Sequence, residues 1–180
     1  MKPSLSIVIP ALNEAAGIEV TLQALQPLRA RGVELVLADG GSGDGTAALA
    51  RPWVDALVDA PRGRALQMNA GAAQARADAL LFLHADTRLP PLADVLALQS
   101  LATGACWGRF DVRIQGRPWM LRVVATLMNL RSRASGIATG DQAIFVQRAA
   151  FERVGRFPAQ PLMEDVEISR RLKRLGRPAC

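Results

Sequence analysis

Four short apolar runs, each followed by a segment of helical length, constrain the fold of this chain more than any other feature. The runs lie at residues 5–9, 33–38, 56–58 and 79–83. Helices are predicted from about Asn13, from about Thr46 and over residues 64–77, where Ala, Gln and Met predominate despite Gly71. Alternating strands and helices are typical of a parallel sheet covered by helices on both faces. We therefore predict an α/β fold with a Rossmann-like, mixed and mostly parallel sheet.

The second half of the chain is predicted to add further elements to this sheet. They are a helix ending near residue 101, a strand at 107–114, a helix at 118–131, a strand at 139–146 and a final helix opened by Asp165. No internal repeat or long linker is visible, so we expect a single domain over residues 1–180. A helix-stop sequence at 176–178 predicts that the natural protein continues with a further strand and tail.

Composition disfavours several classes of protein. The chain has 22 Lys and Arg against 16 Asp and Glu, a net charge of +6, and nearly all of its basic residues are Arg. Arginine suits phosphate, nucleic acid or an anionic membrane, but with no Tyr and few Phe or Trp we expect no nucleic-acid partner. The two cysteines, Cys106 and Cys180, form no CxxC pair, which disfavours a zinc site or a disulfide framework. No apolar run is long enough to span a membrane, and no secretory signal is evident. We therefore expect a cytoplasmic protein, which could also bind to the inner face of the membrane.

Polar residues follow three of the predicted strands. Pro10 precedes Asn13 and Glu14 after the first strand, while Asp39 ends the second. The fourth strand ends in His84-Ala85-Asp86, which carries the only histidine of the chain. Because ligands bind at the carboxyl ends of strands in such sheets, we expect a binding site at this edge.

The glycine-rich segment at residues 39–46 does not match the common phosphate-binding loops. A Walker loop needs Lys after its last glycine, but Thr46 follows Gly45 directly. A Rossmann fingerprint should follow the first strand, whereas this segment follows the second. A tight turn with a helix cap from Ser42 or Asp44 is one interpretation. Asp39 can in addition accept hydrogen bonds from a base or from ribose hydroxyls.

The acidic start of the last helix allows two interpretations. Asp165 can be an N-cap at the positive end of the helix. Alternatively, the stiff and apolar residues 157–162 deliver its carboxylate to a pocket as a general base.

Several segments taken together resemble glycosyltransferase family 2, whose members have the GT-A fold. The segments are IVIPALNE at 7–14, PRGRALQMNAG at 61–71, HADT at 84–87, TGDQAIFV at 139–146 and EDVEISRR at 164–171. They occur in the family's order over nearly the whole chain, and they are most similar to a bacterial subgroup with LHADT-like and TGDQAIFV-like motifs.

The resemblance implies a nucleotide-diphosphate sugar donor, UDP-linked, and transfer with inversion to an acceptor hydroxyl. It implies a nucleotide pocket formed by Pro10, Asn13, Glu14, Asp39, Gly40, Arg62, Arg64 and Asn69. It further implies that Asp165 is the catalytic base, in a motif that Arg171 closes. From the sequence itself, Gly140 and Asp141 either face the acceptor or form a turn with a surface acid, and Glu164 is a further candidate for an acceptor-side residue. We expect Asp39, Asp86 and Asp165 to share one cleft.

Asp86 matches the last acid of the family's Asp-x-Asp metal motif, while His84 replaces the first. The resemblance therefore implies a divalent cofactor, Mn²⁺ or Mg²⁺, held by Asp86, with His84 either a ligand or a contact to the sugar.

Two other functions remain open from the sequence. A sugar-phosphate nucleotidyltransferase should have a glycine loop with Arg and Lys after its first strand, which this chain lacks. A nucleotide-binding module without catalysis would be compatible with the exchange of the first metal acid for His84.

The helix at residues 119–133 combines apolar residues with arginines. It can lie against a membrane that carries a lipid-linked acceptor, or pack against the domain or a partner subunit. The sequence identifies neither the acceptor, lipid-linked or glycan, nor the oligomeric state.

Overall fold

The computed structural model describes residues 2–116 and 118–180, which form a sheet with helices around it. The strands are β1 (Ser6–Ala11), β2 (Glu34–Asp39), β3 (Ala56–Asp59), β4 (Ala79–Phe82), β5 (Trp107–Gly108) and β6 (Phe145–Gln147). The helices are α1 (Ile18–Arg29), α2 (Thr46–Ala50), α3 (Arg64–Gln74), α4 (Ala93–Ala102), α5 (Met120–Ser135), α6 (Arg148–Arg153) and α7 (Glu164–Lys173). Short 3₁₀ turns occur at Arg51–Trp53 and Gly140–Gln142.

The sheet has the strand order β3-β2-β1-β4-β6-β5. Strands β3, β2, β1 and β4 are parallel, whereas β6 runs antiparallel to both β4 and β5. This arrangement confirms the predicted mixed and mostly parallel sheet.

Apolar side chains from the two faces of the sheet form two separate cores. In β1, Ile7 and Ile9 enter one core with residues of α1 and α4, while Val8 enters the other with residues of α3 and α7. Adjacent residues of a strand point to opposite faces, so a strand buried on both sides needs an unbroken apolar run. The helices therefore cover both faces, as predicted.

The first strand and helix differ from the prediction at their junction. Strand β1 continues through Pro10 to Ala11, whose carbonyl accepts a hydrogen bond from the Gly40 N–H at 2.9 Å. Helix α1 begins at Ile18 instead of Asn13, because Asn13 adopts a left-handed conformation with φ 57°. The chain thus makes a loop at the end of β1.

Two predicted strands are much shorter in the structure. Only Trp107–Gly108 of the 107–114 segment is a strand, because the Asn129 side chain of α5 takes the place of a neighbouring strand and binds the Val112 N–H and C=O at 2.9 and 3.0 Å. In the 139–146 segment, Gly140–Gln142 forms a turn that the Gln142 side chain closes by accepting the Thr139 N–H at 3.2 Å.

Helix α7 begins one residue earlier than predicted. Met163 occupies its N-cap position, so Asp165 is the second residue of the helix and the N-cap interpretation of Asp165 is wrong. Helix α3 ends at Gln74, three residues short of the prediction, because Ala75 is extended and the Arg148 guanidinium binds the carbonyls of Ala72, Ala75 and Ala77.

Within residues 2–116 and 118–180, no helix combines the length and the apolar character that a bilayer crossing requires.

Candidate functional site

A cleft of about 360 Å³ opens at the carboxyl ends of β1 and β4, and we call it the strand-end cleft. Its lining consists of Pro10, Ala11, Leu12, Glu14, Gly63, Arg64, Gln67, His84, Ala85, Asp86, Pro161 and Leu162. Five of the residues predicted for the site therefore lie together here, from three separate segments of the chain. Of the three acids expected to share one cleft, Asp86 belongs to this lining, whereas Asp39 and Asp165 do not.

Asp39 organises the glycine loop from a nearly buried position. Its Oδ2 accepts the N–H groups of Gly41 and Ser42 at 3.0 and 2.9 Å, and its Oδ1 accepts the Ser42 hydroxyl at 2.5 Å. The carboxylate thus fixes the backbone that follows β2. Its lone pairs are used largely within the loop.

The loop after β1 is joined to the glycine loop by Asn13. The Asn13 N–H donates to the Ser42 hydroxyl at 2.9 Å, and the Asn13 Oδ1 accepts the Gly43 N–H at 3.0 Å. Asp44 reinforces the junction by accepting the Ala15 N–H at 3.0 Å, and hydrogen bonds from the Thr46 hydroxyl and from Ala15 lower its pKa. The two loops form one rigid rim beside the strand-end cleft.

Gln67 connects the ends of β1 and β2 from helix α3. Its Nε2 donates to the carbonyls of Ala11 and Ala38 at 2.6 and 3.2 Å, and its side chain is almost fully buried. A Cβ at Gly40 would lie only 2.8 Å from this Nε2, so any larger residue at position 40 would displace the Gln67 amide. No role was predicted for Gln67, although it lies in the PRGRALQMNAG segment. Its position as a polar residue on the buried side of α3 could have indicated that it makes buried hydrogen bonds.

His84 forms a wall of the strand-end cleft and is largely buried. Burial and then the positive charge of Arg64 lower the pKa of His84, against the opposing influence of Asp141, Asp86 and Asp165. The imidazole is therefore neutral near pH 7. Its Nδ1 lies 3.8 Å from an oxygen of Asp141, and Gly140 packs so closely on the ring that a Cβ there would collide with it.

Asp165 lies on the other side of His84. With Gly140, His84 and four apolar residues it surrounds a hollow of only about 10 Å³. Its Oδ2 accepts the Gly140 N–H at 2.7 Å, and its Oδ1 accepts the Val166 N–H at 2.7 Å. The carboxylate is thus fixed in orientation close to the cleft, with the imidazole between.

Asp86 lies at the junction of two clefts. Besides the strand-end cleft it lines a second one of about 430 Å³, the side cleft, together with Arg88, Arg113, Asp141 and residues 110–115. Asp86 is exposed, and its carboxylate receives a long hydrogen bond of 3.3 Å from the Thr87 hydroxyl. A group bound to Asp86 can therefore reach both clefts.

The arrangement around Asp86 fits a metal ion that arrives with its substrate. No group of three or more His, Cys, Asp or Glu side chains suited to a metal occurs among residues 2–116 and 118–180. Mg²⁺ and similar ions commonly bind through one or two carboxylates plus substrate phosphates and water. The exposed Asp86 carboxylate, next to a cleft with Arg64, meets that requirement.

The remaining predicted residues occupy different surroundings. Arg64 is half exposed and lies 3.6 Å from the buried Glu164, while Arg62 is exposed before α3.

The Asn69 side chain binds the backbone N–H and C=O of Phe157 at 3.1 and 2.8 Å, so it holds the loop before α7. Arg171 pairs with Glu167 at 2.9 Å on its own helix and also contacts the Val154 carbonyl. The structure thus gives Asn69 and Arg171 supporting contacts around the site.

The sheet order, the crossing to an antiparallel β6 and the cleft at the strand ends define a protein of the Rossmann-like GT-A class. The chain belongs to glycosyl transferase family 2, whose family model matches residues 6–154, and this confirms the resemblance seen in the sequence.

Individual relatives agree with this assignment. The chain is 38% identical over 109 residues to the succinoglycan biosynthesis protein ExoA of Rhizobium meliloti, a match that covers 55% of this chain and 33% of ExoA. Among solved structures, it is similar to a mannosyltransferase from Pyrobaculum calidifontis in complex with GDP-Man and Mn²⁺, with a TM-score of 0.76 and 25% identity over 99% of this chain and 54% of that one. The fold is shared with glucosyl-3-phosphoglycerate synthase from Mycobacterium tuberculosis, with a TM-score of 0.70 and 23% identity over 98% of this chain and 66% of that one. The chain spans a third of ExoA and about half of the mannosyltransferase.

Proposed function

We propose that this glycosyltransferase moves a sugar from a nucleotide-diphosphate donor in the strand-end cleft to an acceptor hydroxyl in the side cleft, with inversion at the anomeric carbon. The observation that carries the proposal is the position of Asp86, whose exposed carboxylate borders both clefts. The sequence favours a UDP-linked donor, and the similar mannosyltransferase was solved with GDP-Man, so both nucleotides belong in the test.

Charge supports the placement of the diphosphate. Arg64 lies in the strand-end cleft with its guanidinium half exposed, and Arg62 lies exposed two residues earlier. The rim made by Asn13 and the glycine loop is fixed before a ligand arrives, so little ordering of the backbone opposes binding. We infer that the nucleotide binds along this rim, with its diphosphate toward Arg64 and Asp86.

Asp86 would hold a divalent ion, Mn²⁺ or Mg²⁺, together with the oxygens of a bound diphosphate. When bound, such an ion offsets the negative charge that develops on the leaving diphosphate. The solved complex of the similar mannosyltransferase, which contains Mn²⁺, supports this cofactor. Neutral His84, beside the same cleft, supplies a contact to the donor sugar or to the ion.

Asp165 is the proposed general base. In the displacement, the acceptor oxygen bonds to the anomeric carbon, the bond to the diphosphate breaks, and the acceptor proton passes to the Asp165 carboxylate. The hydrogen bond from Gly140 and the helix start hold that carboxylate in one orientation. For this transfer the acceptor hydroxyl has to pass His84, which lines both the strand-end cleft and the small hollow that contains Asp165.

The test compares Asp165→Asn with the wild type in donor binding and in turnover. Calorimetry with UDP and GDP, with and without Mn²⁺, measures binding, and release of nucleotide from candidate donor sugars in the presence of acceptors measures turnover. We expect Asp165→Asn to keep nucleotide affinity and to lose about 10² to 10⁴ in rate, the usual contribution of a positioned base.

Asp78→Asn is the matched control, because Asp78 is exposed just before β4, at the end of that strand opposite to His84 and Asp86. Unchanged turnover in Asp165→Asn would remove Asp165 from the mechanism. Tight nucleotide binding without turnover of any donor would instead identify a binding module, and the absence of nucleotide binding would overturn the proposal. A cytoplasmic location remains part of the proposal.

A further inference from the structure

Helix α5 presents its large apolar side chains to the outside of the molecule. The exposed set consists of Trp119, which precedes the helix, and Met120, Val123, Val124, Leu127 and Leu130. The residues that α5 buries are Ala125 and Ser132, which are small. Amphipathic surface helices normally show the opposite pattern, with the large apolar face toward the core.

The exposed set forms one continuous stripe. Positions 120, 123, 127 and 130 follow one another at three or four residues, and position 124 follows 120 by four and precedes 127 by three, so all five share one side of the helix. Leu127, in the middle, is 60% exposed, and Trp119 at the start is 76% exposed. A stripe of this kind is typical of a surface that binds another apolar phase.

The charged residues of α5 indicate what kind of surface the stripe binds. The helix contains Arg122, Arg131 and Arg133 and no acidic residue. Arg133 pairs with Asp111, but Arg122 and Arg131 form no ion pair within the part of the chain that the structure describes. Arg131 follows Leu127 by four residues and so lies at the carboxyl end of the stripe, whereas Arg122 lies on a part of the helix turned away from the stripe.

This surface complements an anionic lipid layer better than a second copy of the chain. Two copies meeting through α5 would bring arginines together without an acid on either helix, and each chain carries a net charge of +6. An anionic membrane offers the apolar layer that the stripe lacks and phosphate groups for the arginines.

We propose that α5 is a membrane-binding helix that lies in the interface of an anionic bilayer, with the Trp119–Leu130 stripe in the acyl region and Arg131 at the phosphates. The side cleft is adjacent, since Met128 of α5 lines it and Asn129 holds its wall at Val112. A membrane under α5 therefore brings the mouth of the side cleft to the lipid surface, where an acceptor with a lipid anchor is present.

The test measures co-sedimentation of the purified chain with two kinds of vesicle. One consists of phosphatidylcholine alone, and the other contains about 30% phosphatidylglycerol in addition. We expect binding to the anionic vesicles, weakening with added salt, and little binding to the neutral ones. Val124→Asp should reduce the partition coefficient at least tenfold, because a charge enters the acyl region. Arg131→Gln should reduce it about fivefold, the usual effect of one basic residue near an anionic surface.

Val20→Asp is the matched control, because Val20 is an exposed valine on α1, 53% accessible, and should leave vesicle binding unchanged. Circular dichroism on all variants checks that they are folded. Equal binding of the Val124→Asp and Val20→Asp variants, or no binding to anionic vesicles at low salt, would overturn the proposal. So would a dimer, measured by light scattering, that Val124→Asp dissociates, since a second copy would then cover the stripe. None of these readings depends on sugar transfer.

Discussion

The contact between Gly40 and Gln67 predicts an unusual result for a pair of substitutions at the end of the sheet. Gln67→Ala removes the hydrogen bonds to the Ala11 and Ala38 carbonyls. At about 1 kcal/mol for each bond, and with Ala11 still bound by the Gly40 N–H, the free energy of unfolding should fall by about 2 kcal/mol.

Gly40→Ala should cost a similar amount through the same side chain. The new Cβ would lie 2.8 Å from Nε2 and 3.1 Å from Cδ of Gln67, so the amide must withdraw and give up both hydrogen bonds. The backbone of Gly40 has an ordinary φ, and the three atoms nearest to the added Cβ all belong to Gln67. Once Gln67→Ala has removed them, Gly40→Ala should therefore cost almost nothing.

The double variant should thus be about as stable as Gln67→Ala alone, which corresponds to a coupling energy of about 2 kcal/mol. Urea unfolding followed by tryptophan fluorescence, to which the buried Trp107 contributes, measures all four proteins. Gly43→Ala, in the same loop with open space around its Cβ, is the control and should change the free energy of unfolding by less than about 0.5 kcal/mol. Additive losses in the double variant, near 4 kcal/mol, would refute the reasoning.

Two further predictions concern the site and a buried ion pair. Gly140→Ala should displace the His84 imidazole, lower the free energy of unfolding by about 1–3 kcal/mol and reduce sugar transfer, whereas Gly43→Ala should leave the free energy of unfolding unchanged; a fully active Gly140→Ala protein would contradict the packing. Asp94→Asn should cost about 1–2 kcal/mol at pH 7, because the hydrogen bonds from Arg31 lower the pKa of Asp94. A carboxyl with a lowered pKa stabilises the folded state above its unfolded pKa, near 3.9, and loses this effect as the pH falls through the folded value. The difference between the wild type and Asp94→Asn should therefore begin to shrink near pH 4 and disappear only below the folded pKa. Urea titrations at pH 7 and 3.5 measure this, with the exposed Asp78→Asn as control, and an undiminished difference at low pH would contradict it.

The regular part of the fold could be predicted because its information is local. Three of the four parallel strands, β1, β2 and β4, are buried on both faces, so residues such as those of 35–38 form an unbroken apolar run that Asp39 follows. Asp39 marks the carboxyl end of β2, and the site lies at the carboxyl ends of the neighbouring strands. The alternation of such runs with helices then determines the layers.

The irregular parts could not be predicted because distant side chains determine them. The 107–114 segment alternates like a strand, yet Asn129, seventeen residues beyond Val112, supplies its hydrogen bonds. Asn13 leaves the helix to bind a loop thirty residues away. Neither partner can be recognised from the segment itself.

The site was predicted in its members and less well in its arrangement. The resemblance to the family selected Asp86 and His84, which do line one cleft. It did not show that Asp39 turns its carboxylate to its own loop, nor that Gln67 joins two strand ends. The roles of the selected residues in binding and catalysis stay predictions until the variants are measured.

The antiparallel direction of β6 has a consequence for how this enzyme can diversify. Because β6 runs against β4, the residues that enter β6 meet the residues that leave β4, as the hydrogen bond from Phe82 to the Ile144 carbonyl shows. The residues that precede β6, such as Asp141, therefore form one wall of the site, and the residues that follow β1 and β4 form the other. Insertions or exchanges before β6 can reshape the side cleft beside Asp141 while the loop rim around Asn13 keeps its sequence, so the two halves are free to evolve at different speeds.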